Sequence, residues 1–455
     1  MPEILICGAG IAGVAAAYHL SVKQGIRDIL LIDERPPLSL TSDKSTECYR
    51  NWWPGPGDAM VKFMNRSIDL LEDLACESGN CFNLNRRGYL FATAEPRNLQ
   101  RFQEVAEEEA KLGAGPVRGH SKFNNSSYQP SPPQNFIDQL AGSDLITDQE
   151  LIKNNFPYLS SDTIALLHAR RCGWLSAQQL GMYMLEKARE HGTVFRQARL
   201  EGIKVVKEKI EAVFIREDDR QVLLPTRYLV IAAGPFLPHV ARMLGLELPV
   251  FHELHTKVVF HDYLRVIDRE APLLIWTDPV FLPWSAEERA SLQEFAETQY
   301  LLEEFPSGVH CRPEGGPDSD VILIIWTYDI RPVEPVFPFA VDPHYAEICL
   351  RGLARMIPGL ERYFRRMPKP VIDGGYYTKT RENRPLIGPL PVEGAFVIGA
   401  LSGFGIMASC AAGELLAAHL TKSELPSYAP AFCLERYDDP EYKRLLENWP
   451  DTGQL

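Results

Sequence analysis

The residues with the clearest chemical spacing stand at the start of the chain. Gly8, Gly10 and Gly13 make a complete G-x-G-x-x-G, with Ile11 and Ala12 before its last glycine. Each glycine has its own task in such a turn. Gly8 permits a tight bend, Gly10 lets the main chain approach a pyrophosphate, and Gly13 lets helix and sheet pack closely. An apolar run, Glu3 to Cys7, leads into the motif, and a small-residue run, Val14 to Leu20, leaves it. That order predicts strand, turn and helix, with the free N–H groups of the helix start facing a diphosphate. A second buried strand is expected over Ile29 to Ile32, followed by Asp33 and Glu34. Asp33 lies 33 − 8 = 25 residues beyond Gly8, a spacing that suits a βαβ unit, and its carboxylate suits a ribose with a free 2′-hydroxyl. The motif implies a dinucleotide but does not separate NAD from FAD.

The other end of the chain repeats this order. Ala395 to Ile398 reads as a strand, Gly399 to Gly405 as a glycine-rich turn, and Ile406 to Leu420 as a small-residue helix. The backbone of Gly403, Phe404, Gly405, Ile406 and Met407 is therefore expected at a second helix N-terminus aimed at a ligand. Between the two ends, the strand Tyr228 to Ala232 runs into Ala233 and Gly234, which fits a backbone nearing a ligand at the carboxyl edge of a parallel sheet.

These loops need elements to hold them. Arg87 to Ala92 reads as turn and strand, Leu99 to Leu112 and Ser176 to His191 as helices, and Gly192 to Ile203 as a lead into a strand. Residues 251–370 change character. Val258 to Phe260, Leu273 to Trp276 and Val321 to Trp326 are β-branched or aromatic runs between turns, which predicts a mostly antiparallel sheet. Residues 113–133 are rich in Gly, Asn, Ser and Pro without periodicity, and read as a surface excursion. Trp52, Trp53, Trp276, Trp284 and Trp326 flank the candidate pocket segments and hint at a bulky or aromatic ligand.

Composition narrows the function classes. A chain of 455 residues, 45% hydrophobic, can bury a sizeable core and is neither a disulfide-stapled mini-protein nor a disordered chain. The formal charge of −13 argues against a nucleic-acid partner, which needs clustered cations. Nine scattered cysteines without a C-x-x-C predict reduced thiols, a cytoplasmic location and no metal site. The longest apolar runs are too short for a membrane span.

Taken in this order, the pieces resemble the D-amino-acid oxidase/sarcosine oxidase superfamily of FAD-dependent amine oxidoreductases. The resemblance rests on GAGIAG with Asp33, GWLSAQQL (Gly173 to Leu180), the strand ending AAGPF, the stretch Thr380 to Gly388, and GALSGFGIMASCAAGELLA. It implies an α/β fold in which a Rossmann-like FAD-binding domain (1–88, 165–250 and 371–455) is interleaved with a mostly antiparallel β substrate domain (89–164 and 251–370). By the same resemblance, Leu200 meets the adenine through its backbone, and Lys44, Ser45 and Thr46 run beside the diphosphate and flavin. Arg50 matches an arginine that pairs with a substrate carboxylate, the alternative being a structural ion pair.

Departures from the family pattern matter as well. Glu47 stands where the family has the first arginine of the segment that includes Arg50, and Gly375 where monomeric sarcosine oxidase has its flavin-linking cysteine. No histidine for covalent attachment occurs around 41–48. Non-covalent FAD is therefore expected. Two family lysines, one for the carboxylate and one for oxygen activation, fall at Met407 and within Val321 to Ile325. His255, His261, Tyr328 and Tyr377 are candidate pocket groups, each with a structural alternative, and Lys257 is either an electrostatic partner or an exposed strand residue. His310 heads a strand without metal partners. The expected chemistry is hydride transfer from an amine or amino acid to flavin N5, giving an imine. No general base is required if the amine binds neutral. Oxygen or a redox partner takes the electrons. Two alternatives share the fold: a flavin-dependent 2-hydroxyacid dehydrogenase, and a non-catalytic flavin-binding assembly factor. A hydroxylase-type monooxygenase would need Gly-Asp-Ala where Gly403-Phe404-Gly405 stands.

Overall fold

The computed structural model describes residues 2–123 and 127–449. Its first strand, Ile4–Cys7, is buried along its whole length, as a strand covered on both faces must be. It pairs in parallel with Ile29–Asp33 on one side and Tyr228–Ile231 on the other. Ala395–Gly399 and Val194–Gln197 extend this sheet in parallel, and Leu386–Pro389 closes one edge antiparallel, giving six strands. The helices Ile11–Tyr18 and Gly405–Thr421 share one core against this sheet. Their small residues have a steric cause: a Cβ on Gly413 would lie 2.7 Å from the Ala15 carbonyl oxygen. Beside the sheet, the strands Arg199–Val206, Lys209–Glu217 and Arg220–Pro225 form an antiparallel meander. The expected lead into one strand is thus two short strands in different sheets, hinged at Ala198.

A second sheet has nine strands. Its order is Val371–Lys379, Phe251–His261, Val321–Ile325, His310–Pro313, Leu273–Trp276, Tyr89–Thr93, Ala165–Ala169, Ser143–Ile146 and Val117–His120. All neighbours run antiparallel except Leu273–Trp276 with Tyr89–Thr93 and Val117–His120 with Ser143–Ile146. The helix Tyr345–Met356 packs its apolar residues into the core of this sheet. Gly352 is needed there, because a Cβ would come within 2.0 Å of the Trp326 ring. The architecture is α/β, with a parallel sheet and a mostly antiparallel one threaded through each other.

Three details differ from the sequence reading. The excursion at 113–133 contains the edge strand Val117–His120, while residues 124–126 lie outside the described residues. Its polar residues hid it: Arg118 and His120 both bind Asp144, at 2.7 and 2.8 Å, across the strand pair. Ala165–Ala169 and Val371–Lys379 pair within the nine-stranded sheet, so the chain crosses between sheets beyond 169 and beyond 379 rather than at 165 and 371.

Candidate active site

A cleft of about 880 Å³ opens at the carboxyl ends of the parallel strands. Gly8 turns there at φ +110°, and a Cβ would meet the Ala232 carbonyl oxygen at 2.3 Å, so only glycine fits. Gly13 lies behind the turn rather than in the cleft. A Cβ on it would strike the Gly8 oxygen at 1.8 Å, which is the close helix–strand contact expected of it. The helix Ile11–Tyr18 starts at Gly10 and the helix Gly405–Thr421 at Phe404, both without a side-chain cap. Two sets of first-turn N–H groups therefore end at one cleft.

The second strand ends in Asp33, whose carboxylate accepts from the N–H of Ala9 at 2.8 Å and of Arg35 at 2.9 Å. Burial pushes its carboxyl up, and those two N–H groups only partly oppose that. Asp33 thus braces the glycine turn while lining the cleft, a task the sequence reading did not include. Ile11, Ala12, Glu34, Ser45, Leu200, Ala233, Gly234, Gly403, Gly405 and Ile406 line the cleft as well. Lys44 does not. Its ammonium pairs with Asp373 at 2.8 Å, because Val371–Lys379 passes beside it in the nine-stranded sheet. The sequence reading missed Ser42, whose hydroxyl accepts from the N–H of Ile11 at 3.0 Å. It also missed Arg35, whose guanidinium lies 5.7 and 5.1 Å from the Phe236 and Phe337 rings.

A cavity of about 300 Å³ adjoins the inner end of the cleft. The two share Ser45, Tyr377 and Gly403 as wall residues. Thr46, Phe404 and Met407, expected beside the cofactor, line this cavity instead. Arg50 enters from the short strand Cys48–Arg50, which pairs with Cys172–Trp174. It is 5% exposed, and its guanidinium lies 4.6 Å from the Trp53 ring. His255 stacks on Tyr377 with ring centroids 4.0 Å apart and planes 18° apart. Burial, with the charge of Lys379, pulls the His255 imidazole down and outweighs the opposing Glu253. His310, two strands along in the same sheet, donates from Nδ1 to the Gly308 carbonyl at 2.8 Å. Burial first, then the neighbouring Arg50 and His255, pulls its imidazole down to about 4.

Other expected pocket groups lie elsewhere. Tyr328 lines neither cavity. Its hydroxyl donates to Asp342 at 2.9 Å, since it follows Val321–Ile325 past the cavity floor. Lys257 is buried rather than exposed and donates to the Ser45 carbonyl at 3.3 Å, which places it behind the wall. No tryptophan lines either cavity, so the hint of a bulky ligand falls away. Trp276 and Trp326 fill the core of the nine-stranded sheet.

Glu253 and Lys379, both in the cavity wall, went unnoticed in the sequence. One signal was present: Glu253, His255 and Lys257 alternate along one strand, and alternate residues share a face. Nothing local announced Arg312. It is fully buried, donates from Nε to the Thr46 carbonyl, and lies 3.6 Å from Glu47. A cation therefore reaches the segment where Glu47 replaced one, from a distant strand.

A parallel sheet with two helix starts at one long cleft, and a smaller cavity adjoining it, is a fold that binds a dinucleotide at the carboxyl ends of its strands. A sequence model of the FAD dependent oxidoreductase family matches residues 3–419, and the chain belongs to that family. FAD is its cofactor. The cleft fits one: a glycine turn that admits no Cβ, an acid at the end of the second strand, and two helix starts whose own N-cap residues make no side-chain bond. No curated protein matched in a sequence comparison. Among solved structures, L-proline dehydrogenase from P. horikoshii is 20% identical, with 96% of this chain and 98% of that chain covered and a TM-score of 0.72. Glycine oxidase from Geobacillus kaustophilus is 15% identical over 95% and 98%, with a TM-score of 0.71. Iminodiacetate oxidase from Chelativorans sp. is 17% identical over 94% and 98%, with a TM-score of 0.67. At these identities the likeness is one of fold. Among the described residues, no helix is long and apolar enough to cross a membrane, and no cluster of His, Cys, Asp or Glu could hold a metal.

Proposed function

We propose that the protein oxidises the C–N bond of a small amino acid or N-alkyl amino acid, giving an imine. The observation that carries this reading is the buried guanidinium of Arg50 in a cavity of about 300 Å³ that shares three wall residues with the cofactor cleft. A planar guanidinium suits a carboxylate, which it can hold through two hydrogen bonds. The cavity's size argues for a small substrate. The similar structures, of proline, glycine and iminodiacetate enzymes, support the same substrate class.

Bound FAD supplies a hydride acceptor at its N5. The chain's own part is orientation and electrostatics. Arg50 anchors the carboxylate, Tyr377 and His255 form a flat wall, and apolar Ile325, Phe404 and Met407 exclude water. The N–H groups at the start of helix Gly405–Thr421 are available to negative charge at the inner end of the cleft. FAD is held without a covalent bond. Gly375 offers no thiol, and a Cβ there would crowd Thr41 and Lys44 at 3.1 Å. Oxygen or a redox partner takes the electrons in the second half-reaction.

The test is anaerobic bleaching of the flavin band against N-methyl amino acids, amino acids, cyclic amines and 2-hydroxyacids. Bleaching by small carboxylate-bearing amines is expected. Bleaching by hydroxyacids alone would reassign the reaction to C–O oxidation. A flavin that no member of the panel reduces would make the protein a binding or assembly factor.

A further inference from the structure

We propose that Thr327, His255 and Glu253 form a proton-accepting chain for the substrate's ammonium group, with Lys379 holding its far end. The inference rests on the amine reading above and assigns that reaction its proton path.

The geometry fixes the direction of the chain. Burial would raise the Glu253 carboxyl, but the hydrogen bonds from His255 and Lys379 outweigh it and hold the group below its ordinary value. As a carboxylate, Glu253 only accepts. It receives the Lys379 ammonium at 3.2 and 3.0 Å and His255 Nε2–H at 2.9 Å. The His255 proton therefore sits on Nε2, which leaves the Nδ1 lone pair free to accept. Thr327 Oγ1 lies 3.1 Å from that nitrogen and donates to it. The Tyr377 ring stacked on His255 fixes the imidazole plane, and Thr327 and His255 both line the cavity.

The charges around His255 give the chain a purpose. Glu253 faces it from its own strand, and Lys379 and Tyr377 from the neighbouring strand. His310, Arg50, Cys48 and Tyr89 are the other titratable groups of the cavity wall. Glu253 is already held by Lys379 and His255, and among the described residues no other carboxylate lines this cavity to balance an ammonium. Desolvation then favours the neutral amine, and the displaced proton needs an acceptor. His255 offers the Nδ1 lone pair, and its Nε2–H on Glu253 sets a carboxylate against the imidazolium that forms, which offsets the burial that otherwise disfavours that charge.

The step balances. The ammonium N–H bond breaks and its electron pair stays on nitrogen. The proton passes to Thr327 Oγ1 while the threonine's own hydroxyl proton passes to His255 Nδ1. The resulting imidazolium keeps its Nε2–H on Glu253. The lone pair left on nitrogen is what the oxidation needs: bound oxidised FAD would accept the Cα–H electron pair as hydride, and that lone pair would close C=N.

The test is anaerobic stopped-flow reduction of the FAD-loaded enzyme by its amine substrate, from about pH 6 to about pH 10, a range spanning ordinary ammonium ionisation. His255→Gln should slow flavin reduction at saturating substrate by about a hundredfold near neutral pH, the usual worth of a positioned proton acceptor. The deficit should shrink at the alkaline end, where the amine arrives neutral. Thr327→Val should repeat this pattern and Thr327→Ser should relieve it, so these two decide if His255→Gln purifies without flavin. The Kd of an unreactive carboxylate that lacks an amine should stay within about twofold in every variant, below the loss of one hydrogen bond. A deficit equal at both ends of the pH range, or none near neutrality, overturns the proton chain. A native enzyme that no amine reduces overturns the amine reading itself.

Discussion

The cofactor cleft and the substrate cavity touch at three residues, yet they are made of different material. The cleft is mostly main chain: the Gly8 turn, the open starts of two helices, and the ends of parallel strands. The cavity is mostly side chain, with Arg50, Glu253, His255, His310, Thr327 and Lys379 converging from five separate segments. A main-chain site depends on the absence of Cβ atoms at a few points and is intolerant there. A side-chain site can lose one group and keep its shape. The two should therefore fail differently when altered.

The largest effect is expected in the cleft. Gly8→Val forces a β-branched residue to φ +110° and drives its Cβ onto the Ala232 oxygen. Strain of this kind costs about 1–3 kcal/mol before the clash is counted. The purified variant should carry little or no flavin, read as the ratio of flavin to protein absorbance. Full flavin content would break the contrast.

Acid should strike the cavity wall next. An unfolded histidine takes up its proton near 6.5, and folded His310 not until about 4. Between those values the unfolded chain binds more protons, so the stability contributed by neutral His310 is complete above the window and lost as pH falls through it. The loss is about 1.4 kcal/mol per pH unit. Urea unfolding at several pH values should show a shallower acid limb for His310→Gln than for the native chain. Identical limbs would show that His310 is not held neutral.

A comparable loss, confined to binding, is expected at Arg50. Arg50→Ala removes a charge-assisted pair worth about 1.5–3 kcal/mol, so the Kd of carboxylate substrates should rise by about one to two orders of magnitude. FAD content should stay unchanged, because Arg50 lines only the cavity. A joint loss of flavin would merge the two sites into one. The smallest effect belongs to Tyr328→Phe. It removes one hydrogen bond to Asp342 outside both cavities, costing about 1 kcal/mol of stability. Its flavin reduction by substrate should match the native rate.

The difference in material also explains what could be read in advance. Main-chain recognition leaves short, local marks. Gly8, Gly10 and Gly13 stand before a small-residue helix, and Gly403 and Gly405 before another, each after a buried strand. Asp33 could be found by counting along the chain. Side-chain recognition leaves almost none. Lys379 and Glu253 are 126 residues apart and meet only because their strands are neighbours. Arg312 reaches Thr46 across 266 residues. Lys44 and Tyr328 look like site residues by position, and are claimed instead by Asp373 from the strand Val371–Lys379 and by Asp342 from the segment before helix Tyr345–Met356.

By itself, the sequence determined the dinucleotide turn, the second helix start and the alternation of parallel and antiparallel regions. These follow from steric limits and hydrophobic periods that act within some thirty residues. The tertiary structure alone decided which charges share a cavity and which cancel in pairs elsewhere. Pairing in a sheet joins residues by register across strands, and register is set by burial of the whole face rather than by the residues that meet. The cofactor is thus written along the chain, and the choice of substrate is made across it.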